Sequence, residues 1–157
     1  MVEKTACVTG HRALSGTHIP HLARRLDETI AELVSQGVIF YGIGMAKGFD
    51  TLAAQAVLRA REKNSTVKFI AVLPCANQDE RWSARDKQTY RQLLSAANKI
   101  VHVSSQPYAD GCMADRNLHL VKHSSVCIAY MKHRRSGTAQ TVRFAQERGL
   151  TIINLAE

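Results

Sequence analysis

Several features that would fix the class of a protein at once are missing from this sequence. No apolar run approaches the ~20 residues that a membrane span needs, so no membrane partner is expected. Met1-Val2-Glu3-Lys4 leads into the short run Thr5 to Gly10, with no basic segment ahead of a long apolar stretch. No secretory signal is apparent, and the cytoplasm is the expected location. Four cysteines are present, Cys7, Cys75, Cys112 and Cys127, and none falls in a C-x-x-C pair or at a metal-ligand spacing. Cys7 and Cys127 lie in apolar runs, where a thiol packs as a small apolar group. Cys75 and Cys112 fall in expected loops. His119 and His123 are four apart, a spacing able to hold a metal. The glutamate of H-E-x-x-H is absent and no third ligand is evident, so no metal is expected. Linkers, repeats and low-complexity stretches are also absent.

Acidic residues are outnumbered. There are 13 against 21 lysines and arginines, giving a formal charge of +8. A basic balance favours anionic partners, such as nucleotides, nucleic acid or an acidic protein, without choosing among them. Most of this charge is spread along helical faces, and the one tight run is His133-Arg134-Arg135.

What is there is an alternation. The 157 residues suggest a single domain, 1–157. "TACVTG" reads as a strand and Ile19–Ser35 as a helix, with Leu22, Leu26, Ile30 and Leu33 at helical spacing. The strands "VIFYG", "VKFIAVLP", "KIVHVS", "VCIAYM" and "TIINLA" then alternate with the helices "DTLAAQAVLRAREKN", "RWSARDKQTYRQLLSAAN", "CMADRNLHLVKHS" and "TAQTVRFAQERG". Asp50 is read as the N-cap of the second helix. Continuous apolar runs such as "FIAVL" fit strands buried on both faces. The expected fold is therefore α/β: a Rossmann-like three-layer α/β/α sandwich around a mostly parallel sheet of about six strands.

The polar and glycine-rich loops come directly after strands: "TGHR", "GMAKGFD", "SSQPYADGCMADRN" and "HRRSGT". In an open parallel sheet these all emerge along the carboxyl edge, where such folds bind ligands. Two of them run into helix starts, which offer free amides and partial positive charge to a phosphate. Glycines there, Gly10, Gly44, Gly48 and Gly137, would admit close backbone approach. Arg12, Lys47, Arg116 and the Thr138 hydroxyl would hold phosphate. Asp50 and Asn117 would orient a ribose or the loops, and His11 would either contact a ligand or orient its loop. Trp82 and Tyr108 could stack on a base or pack at the sheet edge.

At these residues the chain resembles a known group. "VTGHR", "GMAKGFDTLAA", "ADRN" and "RRSGTAQTVRFAQERG" together are similar to the SLOG superfamily, which joins the Smf/DprA proteins to the Lonely Guy (LOG) proteins, and within it to the compact YpsA-like branch. The resemblance implies a domain that binds a nucleotide or a nucleotide derivative such as ADP-ribose, acting as a sensor, and forming a homodimer. No cofactor beyond such a ligand is implied. The DprA-like branch, which binds single-stranded DNA, carries a similar G-x-A-x-G loop (Gly44 to Asp50), a Gly-x-Arg turn (Gly10-His11-Arg12) and an Arg-Asn pair (Arg116-Asn117). The LOG branch hydrolyses nucleoside 5′-monophosphates with a P-G-G-x-G-T-x-x-E signature. Here Thr141 stands where its glutamate would be, and a threonine cannot serve as the carboxylate.

Overall fold

The computed structural model describes residues 1–156. After a single 3-10 turn at Val2–Lys4 the described chain alternates throughout: β1 (Thr5–Gly10), α1 (Ile19–Ser35), β2 (Phe40–Ile43), α2 (Phe49–Lys63), β3 (Lys68–Leu73), α3 (Ala84–Ala96), β4 (Lys99–His102), α4 (Cys112–Lys122), β5 (Val126–Tyr130), α5 (Gly137–Glu147) and β6 (Thr151–Asn154). The strands form one six-stranded sheet in the order β4-β3-β2-β1-β5-β6, and every neighbouring pair is parallel. This is the Rossmann-like α/β architecture expected from the alternation.

Side-chain alternation along the strands divides the core into two layers. Ala6 and Val8 of β1, Phe69 and Ala71 of β3, and Val126 and Ile128 of β5 face the layer that α1, α2 and α3 cover. Cys7, Val72, Cys127 and Ala129 face the other layer, with Leu120 and Val121 of α4 and Val142 and Ala145 of α5. α1 delivers Leu22, Leu26, Ile30 and Leu33 to the first layer, one per turn, and starts with a proline in its first turn. β5 is buried along its whole length, whereas the edge strand β4 is largely exposed. Cys7 and Cys127 are register partners on neighbouring strands, and all four cysteines are buried free thiols.

The strand order positions the site. The chain builds outward from β1 through β2, β3 and β4, then returns to place β5 on the other side of β1. The connections after β1 and β5 therefore leave in opposite directions and open a crevice beyond the strands' carboxyl ends.

The starts of α3 and α2 differ from the sequence expectation in ways that bear on the site. α3 begins at Ala84, because the Ser83 hydroxyl caps it by accepting the Asp86 amide at 3.1 Å. Arg81 and Trp82 thus sit in the preceding turn. α2 begins at Phe49 with Gly48 in the cap position, so Asp50 lies inside the first turn and is not its cap.

Candidate functional site

The crevice is a cavity of about 240 Å³ at the junction of β1 and β5. Thr9, Gly10, His11 and Arg12 enter it from the end of β1. Ala46 enters from the loop after β2 and Asp50 from the first turn of α2, Met113, Arg116 and Asn117 from α4, and Ser136, Gly137 and Thr138 from the start of α5. The Ser136 hydroxyl caps the helix by accepting the Ala139 amide at 3.0 Å. Gly137 and Thr138 are the first two residues of the helix, so no carbonyl lies one turn earlier to take their amides. They leave a patch of partial positive charge at the cavity wall.

Asp50 and Arg116 form the floor, each only 5% exposed. One Asp50 oxygen, Oδ2, accepts the Ala46 amide at 3.0 Å, while Oδ1 has no hydrogen-bond partner. Burial pushes the Asp50 carboxyl up from 3.8 to about 6, against the opposing pull of Arg116, the Ala46 amide and Arg12. Burial likewise lowers the Arg116 guanidinium, and the Asp50 charge opposes that fall. Arg116 spends its nitrogens on its surroundings. Nη1 donates to the Gly44 carbonyl, Nε donates to Asn117 Oδ1 at 2.7 Å, and Nη2 lies 3.7 Å from the Met113 sulfur. Arg116 therefore ties α4 to the end of β2 and aligns Asn117.

His11 organises the opposite rim. Its Nε2 accepts the Lys132 amide at 2.7 Å and the His133 amide at 3.3 Å, which fixes the loop after β5 against the loop after β1. Accepting through Nε2 requires the neutral ring with its proton on Nδ1. Burial and the neighbouring His133 and Lys132 lower the His11 pKa, which favours that state.

Of the residues singled out by sequence, Gly10, His11, Arg12, Asp50, Arg116, Asn117, Gly137 and Thr138 line this one cavity. Gly44, Lys47 and Gly48 do not. The 44–50 loop turns inward: Ala46 bonds Asp50, and the Phe49 amide donates to the His11 carbonyl at 3.2 Å. Its glycines make room for protein. A Cβ at Gly44 would strike the Arg116 guanidinium, and one at Gly48, where φ is +77°, would strike the Arg12 backbone. Lys47 points away. Its Nζ lies 5.7 Å from the centre of the Trp82 ring. With Arg12, Gln78, Arg81, Tyr108 and Met113 it bounds a second, wider cavity of about 710 Å³. Arg12 and Met113 line both cavities and form their shared wall.

Sequence reasoning missed Thr9, Met113, Ser136 and the 77–81 segment. Ser136 was legible, since serine three residues before Ala139 is a preferred cap. Thr9 is the penultimate residue of β1, inside the quoted VTGHR stretch, and Met113 lies in the first turn of α4, but neither side chain was singled out there. Thr141, at the position of a glutamate in LOG proteins, is fully buried and donates its hydroxyl to the Gly137 carbonyl at 3.0 Å. Among the described residues no cluster of three or more potential metal ligands occurs, and no helix is long and apolar enough to cross a membrane.

Together, a parallel sheet with a switch point and a cationic crevice bounded by a helix start define an α/β domain of the Rossmann-like class. The chain belongs to the YspA SLOG family, whose model matches residues 7–148. It is 28% identical over 138 residues to the SPbeta prophage-derived protein YoqJ of Bacillus subtilis (strain 168), covering 80% of this chain and 81% of that protein. It is 21% identical over 143 residues to a UPF0398 protein of Halalkalibacterium halodurans, covering 86% and 76%. Among solved structures it is similar to DNA processing protein A from Helicobacter pylori, described for its single-stranded DNA binding mode, with TM-score 0.69 and 20% identity. It is also similar to DprA from Streptococcus pneumoniae, with TM-score 0.67 and 22% identity. The match covers 96% of this chain in both cases but only 64% and 49% of those two chains.

Proposed function

We propose that this chain binds a nucleotide or a nucleotide derivative of ADP-ribose type, and acts as a sensor of it. The observation that carries this reading is the meeting of the α5 start, Arg12, Arg116 and the unpartnered oxygen of Asp50 in one cavity at the switch point. In this reading a phosphate sits on the Gly137 and Thr138 amides, with the Thr138 hydroxyl and Arg12 beside it. Arg116 supplies positive potential from beneath, and Asn117, aligned by it, faces the sugar. The wider cavity, reached past Arg12, would take the rest of the ligand, with Trp82 and Tyr108 as stacking surfaces and Lys47 and Arg81 near a second phosphate. The same reading has the protein work as a homodimer in the cytoplasm, and light scattering would report twice the 17.4 kDa chain mass.

A thermal-shift series with AMP, ADP and ADP-ribose tests it. A ligand at one hundred times its Kd stabilises by about 2.7 kcal/mol, or roughly 5–10 °C for a chain of this size. Arg12→Ala, at an exposed residue, should halve the rise or more without lowering the unliganded midpoint. Arg116→Ala is a poorer probe, because losing Arg116 strands the buried Asp50 and the Gly44 carbonyl. No rise with any of the three would contradict the reading.

A second reading, single-stranded DNA binding, is favoured by the DprA likeness and by the exposed Tyr108 beside Trp82 and Arg81 in the wider cavity. Tight oligonucleotide binding with indifference to mononucleotides would select it. Hydrolysis of the LOG type lacks its carboxylate at Thr141. Release of free base from AMP, lost on changing Asp50, the carboxylate that lines the cavity, to asparagine, would restore it.

A further inference from the structure

The Oδ1 atom of Asp50 is a buried acceptor with nothing to accept. Such atoms are nearly always satisfied, and this one belongs to a residue that lines the cavity, where a bound molecule could bring the missing donor. The protein offers none. The Ala46 amide is engaged on Oδ2, and the Arg116 nitrogens bond Gly44, Asn117 and Met113, with none of their N–H groups reaching Oδ1. Arg12 contributes charge at longer range.

The donor's chemistry follows from its surroundings. The cavity already holds two guanidinium groups and a helix start, so a cationic donor on the ligand would be repelled. A phosphate at that helix start is an acceptor and cannot serve. What remains is a neutral donor; a nucleotide carries such donors on its base and on its sugar, and the sugar hydroxyls are the ones held close to an anionic group. At about 240 Å³ the cavity is smaller than the ~300–1,000 Å³ typical of sites for whole drug-sized ligands, so it would enclose only part of a nucleotide. A sugar bearing both hydroxyls and a phosphate matches that size and that pairing.

We infer that Asp50 reads a ribose hydroxyl, so that the crevice takes ribonucleotides in preference to nucleotides lacking the 2′ and 3′ hydroxyls. This rests on the nucleotide reading above and adds the sugar to it. At neutral pH the carboxylate is predominantly ionised and can only accept, which suits a hydroxyl donor. Its partner oxygen, held by the Ala46 amide, fixes the direction in which Oδ1 looks.

Calorimetric titration of the full chain with AMP, 2′,3′-dideoxy-AMP and inorganic phosphate tests this. AMP should bind about tenfold or more tighter than the dideoxy compound, as expected for a hydrogen bond to a charged acceptor. Asp50→Asn keeps an acceptor for the Ala46 amide but presents a donor to the cavity. It should bring the two affinities within about twofold of each other. Should that variant fail to fold, the Asp50 carboxyl carbon resonance in the unsubstituted protein provides the same information: it should move with AMP and stay in place with the dideoxy compound. Equal affinities for AMP and its dideoxy analogue in the unsubstituted chain would overturn the hydroxyl reading and leave the nucleotide reading standing. A preference that persists in Asp50→Asn, or an AMP affinity no greater than that of phosphate, would overturn it as well. If neither AMP, its analogue nor phosphate binds, the nucleotide reading falls and this inference with it.

Discussion

Asp50 is the residue on which sequence and structure differ most usefully. Two residues after Gly48 and just ahead of an alanine-rich run, it has the look of a helix cap, because aspartate at a helix start usually caps. In the fold Gly48 takes the cap position, and Asp50 bends back to the Ala46 amide from within the first turn. Nothing in the local sequence announces that, since the choice depends on Arg116 arriving from 66 residues away under the same loop. The burial has a measurable cost. With the folded pKa raised, the folded chain holds its proton more tightly than the unfolded chain does, so stability falls as pH climbs from about 4 to about 6. A rise from 3.8 to about 6 corresponds to about 3 kcal/mol. Asp50→Asn does not ionise and escapes this loss. The variant's unfolding free energy relative to the parent should therefore be higher at pH 7.5 than at pH 4.5, by up to that amount, in urea titrations at the two pH values. A difference independent of pH would show that the carboxyl titrates normally.

Among the elements, the strands and helices were legible because parallel strands buried on both faces read as unbroken apolar runs and helices as a repeating stripe. The bounds of β1 and α1 agree residue for residue with the expected ones. The connections were harder. The 44–50 loop has the composition of a phosphate-wrapping turn, yet it uses its glycines to admit Arg116 and Arg12. Its tight course places Met45 at φ 63°, a left-handed conformation seldom taken by a residue with a side chain. Gly48→Ala should therefore cost on the order of 2–4 kcal/mol, from an unfavourable φ and a clash with backbone. Ser136→Ala removes the α5 cap and should cost about 1 kcal/mol. Both losses are read as shifts in the urea midpoint. A neutral Gly48→Ala would mean that the loop relaxes freely and does not fix the floor of the crevice.

At the scale of the whole molecule, the sequence indicated that its chemistry gathers on one edge but not which strands are neighbours. Only the order β4-β3-β2-β1-β5-β6 explains why the loops after β1 and β5 face each other while Lys47 falls into the next cavity with Trp82. The net charge of +8 then divides between a local site and a diffuse surface. A mononucleotide held by one phosphate should lose affinity only gently with salt, whereas a single strand neutralising many cations would lose it steeply. The most direct measurement is a crystal structure of the protein with AMP. The account predicts the phosphate on the Gly137 and Thr138 amides beside Arg12, with the sugar hydroxyls toward Asp50. A nucleotide seated elsewhere on the molecule, with the crevice between β1 and β5 left open, would contradict it.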